Sequence, residues 1–332
     1  MRRFICLLFC VVILAVPLSG CGSTTLMYTT QVFGKTFSVK IFRSGDDSIL
    51  SQIDEVCKRD ELIYSAADPD SELYALNLTD GAETAVSEDL IRMIRLAVYY
   101  DELSGGMYDL TASSLDKLWD FSKTAVPDKK AIQEALSRVG MANVVTLGSD
   151  TVTLDNGAII DFGGLAEAKL TSDVSELLSG LGVRAEIAIG DIICVINEEE
   201  GRKVGLKMPY DDAPDSLGSI TLTGSRSVVT LRADDGFLLD GVRYHKFLDP
   251  TTGMPAATDL LTVTVIAPTA TQAYAMAQTI IRTGLYSGLE LTGKIVGGDT
   301  LMVTDQLEIR VSPGFTETFK PDFTLAYTEQ VR

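Results

Sequence analysis

Asp249-Pro250-Thr251-Thr252-Gly253 is the tightest constraint on how this 332-residue chain can fold. Pro250 fixes its own φ, and Gly253 supplies either a left-handed position or room for a close backbone approach. The chain must reverse here. An alternating run from Gly241 to Leu248 leads into the turn, and it holds the chain's only histidine, His245. Leu261-Thr262-Val263-Thr264-Val265-Ile266-Ala267 follows as a β-branched run of strand character. Thr271 to Leu285 then reads as a helix ending near Gly284. A tight turn ahead of a strand–helix unit suits a ligand site, although a purely structural turn would look the same.

Upstream, Val32 to Phe42 alternates and reads as one strand. Ser48 to Tyr64 carries apolar residues at helical spacing. Asp68-Pro69-Asp70-Ser71 is a turn with an N-cap, and Ser87 to Leu103 is a second helix capped at Ser87. Gly105-Gly106-Met107-Tyr108-Asp109-Leu110-Thr111 is a glycine loop. Ala158 to Phe162 is a buried strand, followed by the turn Gly163-Gly164 and a helix start. Alternating strands beside amphipathic helices give an α+β class.

The N-terminus carries an address. Arg2-Arg3 precedes an apolar run from Phe4 to Val16, too short and wrongly flanked to span a bilayer. Leu18-Ser19-Gly20-Cys21 then reads as a lipobox, with Cys21 the lipidated residue. Residues 1–20 are thus expected as a signal peptide, 21–30 as a lipidated tether and 31–332 as one large domain. The expected location is the bacterial cell membrane, facing out of the cytoplasm, with the bilayer as a partner through the acyl chains. Removing Arg2 and Arg3 takes the net charge from −18 to −20. So acidic a surface argues against nucleic acid. Cys57 and Cys194 remain in the mature chain, and sequence does not say whether they pair.

The opening stretch, Arg243-Tyr244-His245-Lys246-Phe247-Leu248-Asp249-Pro250-Thr251-Thr252-Gly253-Met254-Pro255-Ala256, resembles the signature of the ApbE family, the FAD:protein FMN transferases. The run from Ser104 to Phe121, the turn Ile160 to Lys169 and the closing Ser312-Pro313-Gly314-Phe315 resemble further family motifs in the same order. The resemblance spans roughly residues 32–316. It implies a T-fold-related α+β domain of antiparallel sheets with packed helices. It also implies FAD as substrate, Mg²⁺ as cofactor and a client flavoprotein as partner. Carried over residue by residue, the flavin nucleotide would meet Phe33, Met107, Tyr108, Asp109, Thr111, Gly163 and Phe247. Lys246 and Asp249 stand at catalytic positions. Ala166, Tyr274 and Gln278 stand at the metal positions.

The departures cluster at the chemistry. Tyr274 replaces the family's aspartate and Gln278 its threonine, Lys246 replaces a histidine, and Ala67 replaces an aromatic. A neutral phenol cannot stand in for a carboxylate at Mg²⁺ near pH 7. His245 falls one position early, which implies a structural or exposed role. Lys246 or Arg232 could supply the missing positive charge. Three functions follow: an anchored transferase moving FMN from FAD to a client Ser or Thr, a non-catalytic relative that binds flavin nucleotide or a partner protein, or an FAD pyrophosphatase.

Overall fold

A computed structural model describes residues 25–42, 47–209, 216–233, 236–322 and 327–329. The expected signal peptide and Cys21 lie outside them. The chain opens with a hairpin, β1 (Thr25–Val32) and β2 (Lys35–Phe42), closed by Phe33 and Gly34 at φ 51° and 73°. The single strand expected over Val32–Phe42 is therefore two. Gly34 tolerates the left-handed backbone that a two-residue hairpin turn demands, and the alternation simply continues through it. Strand structure also begins at Thr25, inside the stretch expected as tether.

Helices α1 (Ser48–Tyr64) and α2 (Glu72–Asn77) follow, then the short strand β3 (Thr84–Ala85) and α3 (Glu88–Ser104). The expected cap holds: Ser87 Oγ accepts from the Leu90 N–H at 3.2 Å. Single-turn α4 (Ser113–Asp116), α5 (Lys129–Leu136) and α6 (Met141–Val144) lead to β4 (Val145–Leu147) and β5 (Thr151–Leu154). Next come α7 (Gly164–Gly180), β6 (Arg184–Ile189), β7 (Ile192–Lys207) and β8 (Ser216–Arg232). The hairpin β9 (Gly236–Leu239) and β10 (Val242–His245) precedes β11 (Leu260–Ala267) and α8 (Ala270–Thr292). The described chain closes with β12 (Asp299–Thr304), β13 (Ile309–Val311), α9 (Pro313–Thr318), β14 (Phe319–Pro321) and β15 (Tyr327–Glu329).

One sheet organises the domain, in the order β1-β2-β6-β7-β8-β11-β12-β13-β15, with β14 on β8. Its pairs are antiparallel except β13 with β15. β11 is buried at every position because α8 covers one face and a second apolar cluster around Phe315 fills the other. Thr262 and Thr264 alternate with Val263 and Val265 yet are fully buried too, so the alternation here does not mark a solvent face. Cys57 and Cys194 are both buried and free. No helix of the described residues is long and apolar enough to cross a membrane.

Helix α8 runs past its expected end. Gly284 has φ 79° and ψ −179°, so the helix breaks there, yet it resumes to Thr292. Asp259 Oδ1 takes the Leu285 N–H at 2.8 Å across the break. A glycine thus marks a kink here instead of a stop.

The glycine loop before α4 is pinned from within. Asp109 Oδ1 accepts the Thr111 N–H at 2.7 Å, and Oδ2 accepts the Met141 N–H at 3.0 Å. Thr111 Oγ1, fully buried, also donates to Asp109 and accepts from the Gly140 N–H at 2.9 Å. Asp109 and Thr111 were expected to meet the flavin; both side chains tie the loop to the start of α6. Asp109→Ala strands two backbone donors and should lower unfolding free energy by about 1–3 kcal/mol. Urea denaturation checks this, and an unchanged midpoint would refute the tie.

Candidate functional site

A cavity of about 410 Å³ opens among the loop after α3, the turn before α7, the end of β10 and one face of α8. The size fits a small-ligand site. The turn that opened the sequence analysis holds one wall in place. Asp249 Oδ1 accepts from the Thr251 N–H at 2.7 Å, and the Gly253 N–H donates to Asp249 O at 2.8 Å. Gly253 has φ 68°, and a Cβ there would lie 2.6 Å from Ile132 Cγ2. Its carbonyl accepts from Trp119 Nε1 at 3.0 Å. The turn is thereby fastened to α5 and to the tryptophan, and Lys246 and Phe247 are presented to the cavity.

Trp119 stacks on Phe121 with centroids 5.3 Å apart, and Phe237 stacks on Tyr244 at 4.9 Å. Trp119 and Tyr244 lie 6.0 Å apart, so hairpin β9–β10 extends this aromatic wall. Opposite, Gly163 at φ 51° makes the turn into α7, and Asp161 Oδ1 accepts its N–H at 2.8 Å. Lys35, from the start of β2, pairs with the buried Glu167 at 2.8 Å. A Cβ on Gly190 would come within 2.8 Å of that carboxylate, so glycine is required beside Asp191.

The remaining wall is α8. Tyr274, Gln278 and Arg282 are four residues apart and share one helix face. Gln278 Nε2 donates to Tyr274 Oη at 2.6 Å. Arg282 Nη1 donates to the side-chain oxygen of Gln278 and, at 3.1 Å, to its backbone carbonyl. Arg282 Nε donates to Leu248 O at 3.2 Å, and the guanidinium lies 5.3 Å from the centre of the Phe247 ring. The Tyr274 ring packs on Gly164, where a Cβ would lie 2.4 Å from the phenol oxygen.

Of the residues singled out from sequence, Tyr108, Asp109, Gly163, Lys246, Phe247, Tyr274 and Gln278 line the cavity. Phe33, Met107, Thr111, Ala166 and Asp249 do not line it. Phe33 sits in the β1–β2 turn with its N–H on Glu61 Oε1 at 3.0 Å. Ala166 is buried in the first turn of α7, and Asp249 is occupied holding its own turn. Arg232 faces a different hollow, beside Lys207. His245 is buried, and its Nδ1 accepts from the Phe247 N–H at 3.3 Å. Burial, helped by nearby Arg243, pushes this imidazole down to about 4, so it is neutral and structural. Sequence reading missed Arg282, Phe121, Asp116 and Asp191. Only Arg282 left a signal: it continues the four-residue spacing from Tyr274 and Gln278.

The family's divalent metal does not fit these side chains. Burial raises the Tyr274 phenol well above its ordinary range, which keeps it neutral. The Gln278 side-chain oxygen already accepts from Arg282. An ion bound to that oxygen would sit beside a guanidinium. Among the described residues no cluster of three or more His, Cys, Asp or Glu could hold a metal ion.

The ApbE family model matches residues 33–299. The FAD:protein FMN transferase of Treponema pallidum is 29% identical over 291 residues, 81% of this chain and 80% of that one. The solved ApbE protein of Thermotoga maritima is 26% identical with a TM-score of 0.76, covering 89% of this chain and 99% of that one. The flavin transferase ApbE of Vibrio cholerae is similar in fold, with a TM-score of 0.79 at 21% identity over 90% of this chain and 100% of that one. The motifs around the turn at Asp249 and the cavity they build sit within the matched span, and the chain belongs to the ApbE family.

Proposed function

We propose that this protein is an FAD:protein FMN transferase. The observation that carries the reading is the cavity, lined both by the stacked aromatics Trp119 and Phe121 and by the cations Lys246 and Arg282. A flat ring system and a diphosphate are recognised by that pairing. The Treponema pallidum relative bears the same activity in its name. In the reaction, a client Ser or Thr hydroxyl oxygen attacks the FMN phosphorus of FAD. A new P–O bond forms, the bond from that phosphorus to the bridging oxygen breaks, and AMP leaves. The hydroxyl proton passes to a carboxylate at the cavity, Asp116, Asp161 or Asp191. Positioning and charge neutralisation supply most of the catalysis in such transfers. Here the chain's own cations provide the charge.

Tyr274 and Gln278 favour a second reading, in which flavin nucleotide binds without being transferred. Incubating the protein with FAD and a client flavoprotein domain separates the two. Covalent flavin fluorescence in the client band of a denaturing gel, with AMP released in equal amount, is expected. Bound FAD with neither product would establish the second reading. Lys246→Met should slow transfer by roughly 100-fold if its ammonium faces the leaving phosphate; an unchanged rate would remove it from the reaction.

The basic start, the apolar run and the lipobox at Cys21 support anchoring in the bacterial cell membrane with the domain facing outward. Cys21→Ala should move the protein from the membrane fraction to the soluble one. Retention in the membrane would exclude lipidation as its hold.

A further inference from the structure

The cationic face of α8 has two features that the fold itself does not account for. Arg282 lies in the cavity wall, yet among the described residues no carboxylate pairs with it. Its Nε and Nη1 donate to protein oxygens, which leaves Nη2 without a partner among the described residues. Burial weakens the charged form of this guanidinium, and an arginine nevertheless keeps its proton. The carboxylate of Asp116, in the same cavity wall, supports its charge through space without forming an ion pair, so the guanidinium keeps room for an anionic ligand. Tyr108 supplies the independent observation. It is 6% exposed, it lines the same cavity, and its hydroxyl is buried without a hydrogen-bond partner. Buried hydroxyls are normally satisfied, so an unpartnered one at a cavity points to a ligand acceptor. The other donors nearby are engaged differently: Lys35 is held by Glu167, and Gln278 donates to Tyr274.

We infer that Arg282, held by the Tyr274–Gln278–Arg282 ladder and joined by the Tyr108 hydroxyl, clamps the diphosphate of a dinucleotide, so that the cavity binds its nucleotide without a divalent cation. The ladder explains why two metal positions changed together. Gln278 must offer its oxygen to Arg282, its amide nitrogen then needs an acceptor, and the Tyr274 phenol oxygen is that acceptor. A carboxylate at 274 would restore a metal ligand but would bring a charge that the guanidinium, and not an ion, would neutralise. The planar fork of arginine suits two phosphate oxygens at once, which a lysine cannot match.

This inference rests on the reading that the cavity takes FAD, and the test separates the two. FAD and riboflavin are titrated by flavin fluorescence against the purified protein, once with EDTA and once with MgCl₂. FAD affinity is expected to differ by less than about threefold between the buffers. Arg282→Ala should weaken FAD by roughly 10- to 100-fold, the value of a charge-assisted contact, and leave riboflavin within about twofold. Because Arg282 also bonds Leu248 O and Gln278 O, its variant risks misfolding. Tyr108→Phe removes only the unpartnered hydroxyl; it should melt no lower than the parent and weaken FAD by about fivefold. FAD binding that requires MgCl₂ would overturn the inference and leave the FAD reading standing. Metal-independent binding untouched by Arg282→Ala and Tyr108→Phe would also overturn it. Failure of both flavins to bind in either buffer would refute the FAD reading itself.

Discussion

The hydrogen bond from the Arg282 guanidinium to the Gln278 side chain decides what this cavity can hold. It joins two residues one helical turn apart on α8, and through Gln278 it fixes Tyr274 as well. The opposite face of α8 is buried against β11 and β8, where Ala273, Ala277, Ile280 and Ile281 are fully buried. The helix therefore cannot rotate, and its polar face must look into the cavity. Once Arg282 is at that face, Gln278 and Tyr274 have defined partners. They become ligands of a guanidinium, and their oxygens are no longer available to an ion.

A second exchange accompanies the first. Lys35 at the start of β2 meets Glu167 at the start of α7, and Gly190 leaves room for the carboxylate. The pair brings one more cation to the rim at no net change of local charge. The whole chain carries a net charge of −18, so an anionic nucleotide is repelled at long range. Attraction must come from side chains inside the cavity, where low dielectric strengthens short contacts and salt screens them little.

Much of the fold was legible because the signals were local. Pro250 and Gly253 specify their turn, the β-branched run specifies β11, and Ser87 specifies the start of α3. Local signals also misled. Alternation ran unbroken through Phe33 and Gly34, since a two-residue hairpin turn preserves the period of the flanking strands. Gly284 looked like a helix end because its neighbour's partner, Asp259, lies 26 residues away. The site divided along the same line. Tyr108, Gly163 and Phe247 were placed by motif and do line the cavity. Asp109, expected at the flavin, also lines the cavity, but its oxygens, like those of Asp249, which was expected at a catalytic position, hold backbone N–H groups that only the folded loops bring near. Arg282 was passed over because its four-residue spacing from Tyr274 and Gln278 is common on helices and gains meaning only when Gln278 and Leu248 are seen bonded to it.

A crystal structure of the protein grown with both FAD and MgCl₂ tests the account most directly. The account predicts the diphosphate within hydrogen-bond distance of Arg282 Nη2 and the Tyr108 hydroxyl, with the Tyr274–Gln278–Arg282 ladder intact. A magnesium ion bridging the diphosphate to Gln278, Asp161 or Asp191, with Arg282 turned away, would contradict it.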